Sequence, residues 1–291
     1  MKKLITLILI VFCLTGCANH NQEKDKVTIV ASNFPAYDFA RQIAGNNANI
    51  SLLLPPGAES HSFEPAPKDI INIQTSDLFI CNGGESEAWV NSLTETLDVE
   101  NIIQMTAYSE NLYTDKGYDE HVWCSPVNSI AISQEIYEEL CIIDPDNINT
   151  YTENYNNYVK ELTNLDLVFR DIINNSKTAT VVFADRFPAK YFTEEYNLKY
   201  FSAFPGCSEE AEPSAAVVAS LIEKVRNEKL KGVFYIEFSN QKIADIICEE
   251  TGCEKYLFHS CHNISKEEFN SGETYVSIMT KNAENLRKVL Y

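Results

Sequence analysis

The chain is short of positive charge. Its 291 residues hold 23 lysines and arginines against 42 aspartates and glutamates, a formal charge of −19. Such a surface repels phosphate backbones, so nucleic acid is excluded as a partner. Long apolar runs are scarce as well. Beyond residue 14 none approaches the roughly 20 residues that a helix needs to cross a bilayer. No HExxH, GxSxG or His-x-His-x-Asp run occurs, and no two of the nine cysteines have CxxC spacing. The common signatures of metal and serine hydrolases are therefore missing. Histidine occurs only five times, which keeps the set of chemistry-bearing imidazoles small. What remains is ordinary for a globular protein: 45% hydrophobic and 22% charged residues exclude a mainly disordered chain.

The start of the chain carries an address. Lys2 and Lys3 precede an apolar run over residues 4–14, followed by Thr15, Gly16 and Cys17. A basic start, a short apolar core and small residues before a cut make a secretory signal over residues 1–16. Leu14-Thr15-Gly16-Cys17 resembles the bacterial lipobox, so Cys17 is expected to carry lipid. Residues 17–26 then form a polar tether, which holds His20. Lipid chains anchor a protein without spanning the membrane. Seven cysteines follow Cys17, an odd number that cannot all pair within one chain. Several lie in apolar runs, where cysteine behaves as a small buried hydrophobe.

Behind the tether the chain alternates strand-like and helix-like segments. Strands are expected at 27–32, 50–54, 78–81 and 102–105. Helices are expected at 36–43, from Pro67, at 86–97, and from Pro126 to residue 141. Residues 144–175 then run without glycine and, past Pro145, without proline. Tyr155, Tyr158, Val159, Leu162, Leu165 and Val168 set a helical stripe there. At 1.5 Å per residue such a helix is about 45 Å long, enough to cross two lobes. The alternation restarts with strands at 179–183, 198–203, 233–236 and 256–258, and helices between and after them. The fold class read from this pattern is α/β: two lobes, each a parallel sheet flanked by helices, bridged by one long helix. The lobes span 27–143 and 177–291, with the linking helix at 144–176.

Four histidines lie outside the tether. His61 falls past the end of the second strand, and His259 and His262 at or past the end of the last. His121 sits just before the helix that Ser125 and Pro126 open. Asp185 ends the first strand of the second half and Glu237 the third. Open parallel sheets bind ligands at the carboxyl ends of their strands. These side chains from both halves therefore converge on the cleft between lobes. Imidazole and carboxylate together suit zinc or manganese.

Two segments carry a family resemblance. His61-Ser62-Phe63-Glu64-Pro65-Ala66-Pro67 is similar to the His-x-x-Glu-Pro-x-Pro segment of zinc and manganese ABC-transporter solute-binding proteins. Asp119-Glu120-His121-Val122-Trp123-Cys124-Ser125-Pro126 resembles their Asp-Pro-His-x-Trp-x-x-Pro segment. Glu212-Pro213-Ser214 and the closing helix match as well. The resemblance implies that His61 and His121 are metal ligands. It implies a third histidine or glutamate before an aromatic-rich helix start, where this chain has Asp185. It implies a fourth, usually aspartate, in the loop before the last helix, where His262 is the choice and His259, Cys261 and Glu237 are alternates. The histidine-rich loop frequent in zinc members is absent from residues 111–120.

The function expected is that of the extracytoplasmic, lipid-anchored, monomeric binding component of a metal importer. It would hold Zn2+, with Mn2+ the alternative, and pass it to an ABC permease. No enzymatic activity is expected. A metallohydrolase would need Glu64 or Glu237 as its base. A protein for a metal chelate or haem on the same architecture would line its pocket with Trp89, Tyr118 and Trp123.

Overall fold

The computed structural model describes residues 26–96, 101–110, 112–114, 117–206 and 212–291. The expected secretory signal over residues 1–16, Cys17, the expected tether up to residue 25 with His20, and Cys207 lie outside them. Among the described residues no helix is long and apolar enough to cross a membrane.

The first lobe is built on strands β1 (Val27–Ala31), β2 (Ala48–Leu52), β3 (Leu78–Cys81) and β4 (Ile102–Gln104). They form one sheet in the order β2-β1-β3-β4, with every pair parallel. Helices α1 (Phe34–Ala44), α2 (Pro67–Thr75), α3 (Ala88–Thr96) and α4 (Pro126–Ile143) connect and cover it. Two very short strands, β5 (Tyr113–Thr114) and β6 (Gly117–Tyr118), make an antiparallel hairpin on the way to His121. The starts of α1 and α4 are encoded locally. Asn33 and Ser125 accept backbone N–H bonds from Ala36 and Asn128, and a proline follows each cap. Both devices satisfy or remove donors that a first helical turn leaves without partners.

Helix α5 (Ile148–Asn174) follows a single 3-10 turn at Pro145–Asn147. It is shorter at its start than the pattern implies, because Pro145 opens that turn instead. Its buried side chains are Tyr151, Tyr158, Leu162, Leu165, Phe169 and Ile172. The stripe departs from the expected one at its end, where Val168 is 41% exposed and Phe169 fully buried. A repeat of 3.6 residues per turn moves the buried face on by one residue there.

The second lobe repeats the first. Strands β7 (Thr180–Phe183), β8 (Lys199–Ser202), β9 (Gly232–Tyr235) and β10 (Glu254–Leu257) form a parallel sheet in the order β8-β7-β9-β10. Counted within its own lobe, that is the strand order of the first sheet. Helices α6 (Lys190–Glu195), α7 (Ala215–Glu228), α8 (Lys242–Thr251), α9 (Lys266–Ser271) and α10 (Tyr275–Leu290) complete it. The α/β class with two parallel sheets and one bridging helix is as the sequence reads.

One hydrophobic core runs through both lobes. It includes Phe39 and Trp123 from the first, Tyr158 and Phe169 from α5, and Phe183, Phe258 and Tyr275 from the second. The Phe39 ring meets Tyr275 edge-on at 5.2 Å, and Phe169 meets Phe192 at 4.8 Å. Burying each such ring contributes about 1.5–3 kcal/mol. Parting the lobes would expose several at once, so α5 and its neighbours act as a stiff spine rather than a hinge.

Candidate metal centre

The switch point of each sheet lies where the connections from its first strand diverge, between β1 and β3 and between β7 and β9. Loops that follow the carboxyl ends of strands in both sheets meet between the lobes, where the His61 and His262 rings stand 5.3 Å apart. His61 comes from the loop between β2 and α2, His121 from the turn before α4, and His262 from the loop after β10. One ligand atom from each of these three histidines lies within 4.8 Å of the other two. The ring centroids stand 6.1 Å (His61–His121), 5.3 Å (His61–His262) and 5.4 Å (His121–His262) apart. His121 and His262 are buried, while His61 stands partly open at the mouth.

Each ring is oriented by a partner behind it. Asp119 Oδ1 lies 3.1 Å from His121 Nδ1 and also accepts the His121 backbone N–H. That carboxylate assigns the proton to Nδ1 and leaves the Nε2 lone pair for a ligand. Ser60 Oγ stands 3.3 Å from His262 Nδ1. Glu120 Oε1 lies 3.6 Å from His61 Nδ1, while its Oε2 accepts the Ser86 N–H. Gly84, at φ +100°, makes room for that carboxylate: a Cβ there would sit 2.4 Å from Glu120 Oε2. Trp123 packs beneath the site, 4.9 Å from His262 and 5.4 Å from His121.

The loops that carry the rings are tied across the cleft. Asn263 Nδ2 donates to the carbonyls of Pro55 and Ala58, each at 2.9 Å. Gly57 N–H donates to Ile264 O, and Trp123 Nε1 donates to Ser260 O at 2.7 Å. Tyr275 at the start of α10 donates its hydroxyl to Trp123 O and its N–H to the buried Asp38.

Electrostatics favour neutral rings. Burial lowers the His61 pKa below 6.5, and the charge of a protonated His121 lowers it further. Burial drives His262 well below 6.5, with His121, His61 and Arg186 acting in the same direction. A neutral imidazole keeps the lone pair that a cation needs.

The remaining sequence candidates are placed differently. The structure does not bring Asp185 into the group of three rings. Its Oδ1 accepts the Arg186 N–H at 2.8 Å and its Oδ2 accepts the Ile236 N–H at 3.4 Å. It fastens the loop after β7 to the end of β9. Glu237 spends both oxygens on Ser260, one on its N–H at 2.8 Å and one on its hydroxyl. His259 points away from the three rings: its Nδ1 accepts the Cys261 N–H and its Nε2 lies 3.7 Å from Glu268. Cys261 is fully buried, and burial holds its thiol well above the usual value. Asp119, Glu120, Ser60, Asn263 and Arg186 were not picked out from the sequence. An aspartate two residues before His121 is the one local signal that pointed to any of them.

A cavity of about 30 Å³ lies beside His61 and His262, with Arg186, Glu59, Glu237 and Asn263 in its wall. Next to it, and sharing Arg186 and Phe238, is a cleft of about 230 Å³ lined by Asp185, Ser239, Asn240 and Lys242.

Two parallel-sheet lobes on one stiff helix, with imidazoles gathered in the cleft, define the α/β class of solute-binding proteins. The chain belongs to the family described as "ZnuA: Zinc-uptake complex component A periplasmic", whose model matches residues 29–289. It is 29% identical over 316 residues to the high-affinity zinc uptake system protein ZnuA of Bacillus subtilis, covering 99% of this chain and 98% of that one. It is 31% identical over 308 residues to the zinc-binding lipoprotein AdcA of Streptococcus pneumoniae. That match covers 99% of this chain but spans only 61% of the relative's length. The crystal structure of the Zn(II)-bound ZnuA-like domain of Streptococcus pneumoniae AdcA superposes with a TM-score of 0.80 at 32% identity. It covers 91% of this chain and 99% of that domain. The family expected from His61 to Pro67 and Asp119 to Pro126 is thus the family found.

Proposed function

We propose that this chain is the extracytoplasmic binding component of a zinc importer, holding one ion between its lobes on His61, His121 and His262. The observation that carries this reading is the meeting of three ligand atoms within 4.8 Å, from loops far apart in sequence. Zinc–imidazole bonds are about 2.0–2.1 Å, which sets nitrogens about 3.4 Å apart on a tetrahedral ion. Small ring rotations close the difference. Three neutral imidazoles favour zinc, whereas manganese prefers oxygen donors and more of them. The zinc-binding relatives support the same choice.

The lipobox-like segment ending at Cys17 supports anchoring to the outer face of the cell membrane. Release to an ABC permease follows from the spine. With the lobes held by one continuous core, the movable parts are the loops that bear His61 and His262, fastened through Asn263. Displacing the His61 loop breaks the site without parting the lobes. A haem is a poor second occupant, because the cleft of about 230 Å³ is below the pockets of drug-sized ligands, about 300–1,000 Å³. For a hydrolase, Glu64 is exposed and Glu237 is committed to Ser260.

The test is calorimetry on the chain freed of residues 1–16. Zinc must bind tightly at one site and manganese more weakly. The double change His61→Ala and His121→Ala must abolish that binding, and unaltered affinity in the double variant ends the reading.

A further inference from the structure

We propose that Cys248 and Cys253 form a disulfide in the exported protein, made by exchange with an external disulfide, and that this bond fastens the strand leading to His262. The two Sγ atoms touch, 3.5 Å apart. How α8 ends sets that contact. Gly252, at φ +73°, closes the helix by donating its N–H to Cys248 O at 2.8 Å. Such a left-handed stop turns the chain back, and the residue after the glycine then lies against the last turn of the helix. An apolar pair commonly fills that place, and here both members are cysteine. Each is half-buried, and each packs on the smaller core of the second lobe, which includes Leu221, Val225 and Ile247. Cys81, Cys124 and Cys261 are buried instead, away from any oxidant in solution.

The bond has a mechanical use. Among the described residues β10 is an edge strand, paired with β9 on one side. The loop that bears His262 follows its far end. Cys253 stands just before β10, so a bond to Cys248 ties the start of that strand to α8, which packs on β9 and α7. The setting rests on the export read from residues 1–17, since disulfides persist outside the cytoplasm. Burial and the neighbouring Cys253 push the Cys248 thiol up to about 12, so Cys248 keeps its proton at neutral pH and Cys253 opens the exchange. The Cys253 thiolate attacks a sulfur of the external disulfide and expels one thiol. Cys248 then yields its proton, attacks the Cys253 sulfur of the mixed disulfide and expels the second thiol. The pair gives up two electrons and two protons, and the external disulfide leaves as two thiols.

The probe is oxidised glutathione. The mature chain is held in an excess of oxidised over reduced glutathione, its remaining thiols are alkylated, and its tryptic peptides are weighed. No lysine or arginine lies between the two cysteines, so the peptide over residues 243–255 holds both. It is expected without alkyl groups and lighter by two hydrogens, and with two alkyl groups once dithiothreitol has been added. Denaturant unfolding reads the fastening. Closing a loop of six residues lowers the unfolding equilibrium constant on the order of tenfold to fiftyfold, and dithiothreitol must return it. In Cys253→Ala, where Gly252 still stops the helix, dithiothreitol must leave the constant unchanged. The ratio is read within each protein, so a general loss of stability does not imitate the result. Alkylation of both cysteines after glutathione treatment, or a bond from either to a different cysteine, overturns the disulfide. Equal stability of the oxidised and reduced wild type overturns the fastening. Neither result touches the three-histidine site, whose own test is zinc binding.

Discussion

The two lobes share one strand order and divide the cleft unequally. The first contributes His61 and His121, each on a recognisable segment and each with a carboxylate behind it. The second contributes His262 and Arg186, and it spends its acids on itself. Asp185 and Glu237 occupy the ends of β7 and β9, where a parallel sheet classically meets its ligand. There they satisfy the backbone of Ile236 and Ser260. Position at a strand end therefore nominates a residue without deciding its use.

The largest effects should ignore the division between lobes. Apparent binding energies of closed zinc sites are about 10–16 kcal/mol, so one ligand of four is worth about 3–4 kcal/mol. His262→Ala should then cost as much zinc affinity as His121→Ala, on the order of a hundred- to a thousandfold. A calorimetric series that left His262→Ala within a few-fold of wild type would show that the second lobe does not hold the ion.

The next effect separates carboxylates that face the same cleft. Asp119→Asn should weaken zinc by about 10–100-fold, the range for partners that fix a ligating imidazole. Asp185→Ala should leave zinc affinity within about threefold and instead lower stability by about 1–3 kcal/mol, because the Ile236 N–H loses its acceptor in a buried setting. Denaturant unfolding and calorimetry on both variants read the two quantities independently. An Asp185→Ala protein of normal stability that binds no zinc would make this aspartate a ligand after all.

Legibility in the sequence follows the same line. The sheets, their helices and the long helix were readable because periodic apolar residues leave little choice of buried face. His61 and His121 were readable because each sits in a short segment of fixed chemistry. Helix α9 was not placed, since six residues are too few for a period. The capping box of Ser265 and Glu268 was the signal that could have found it. The β5–β6 hairpin was missed for the same shortness. Arg186 has no signal in the sequence, because nothing local says that a side chain from the second lobe reaches Glu59 and the wall of the His61 cavity.

Acidity offers a milder probe. A proton competes with zinc for each imidazole, and a lowered pKa moves that competition to lower pH. With His61 below 6.5 and His262 well below it, zinc affinity should hold steady from pH 8 down to about 6.5 and fall only under that value. A decline that begins above pH 7 would mean that the rings are solvated and apart.

The smallest effect concerns the histidine that the cleft does not use. Burial alone would lower the His259 pKa. The charge of Glu237 and the partnership with Glu268 outweigh it and raise the value above 6.5. Glu268 responds in kind: its contact with His259 holds its own pKa down at about 2. A group whose folded pKa is raised contributes stability that is fully present below its unfolded value, and that contribution is lost as pH rises through the folded one. The deficit of His259→Gln in denaturant unfolding should therefore be greatest near pH 5.5 and shrink toward pH 8, while its zinc affinity at pH 7.5 stays within about threefold of wild type. A deficit that grew with pH would reverse the sign and place a neutral His259 in the fold. A large loss of zinc would move His259 from the packing of the second lobe into the cleft.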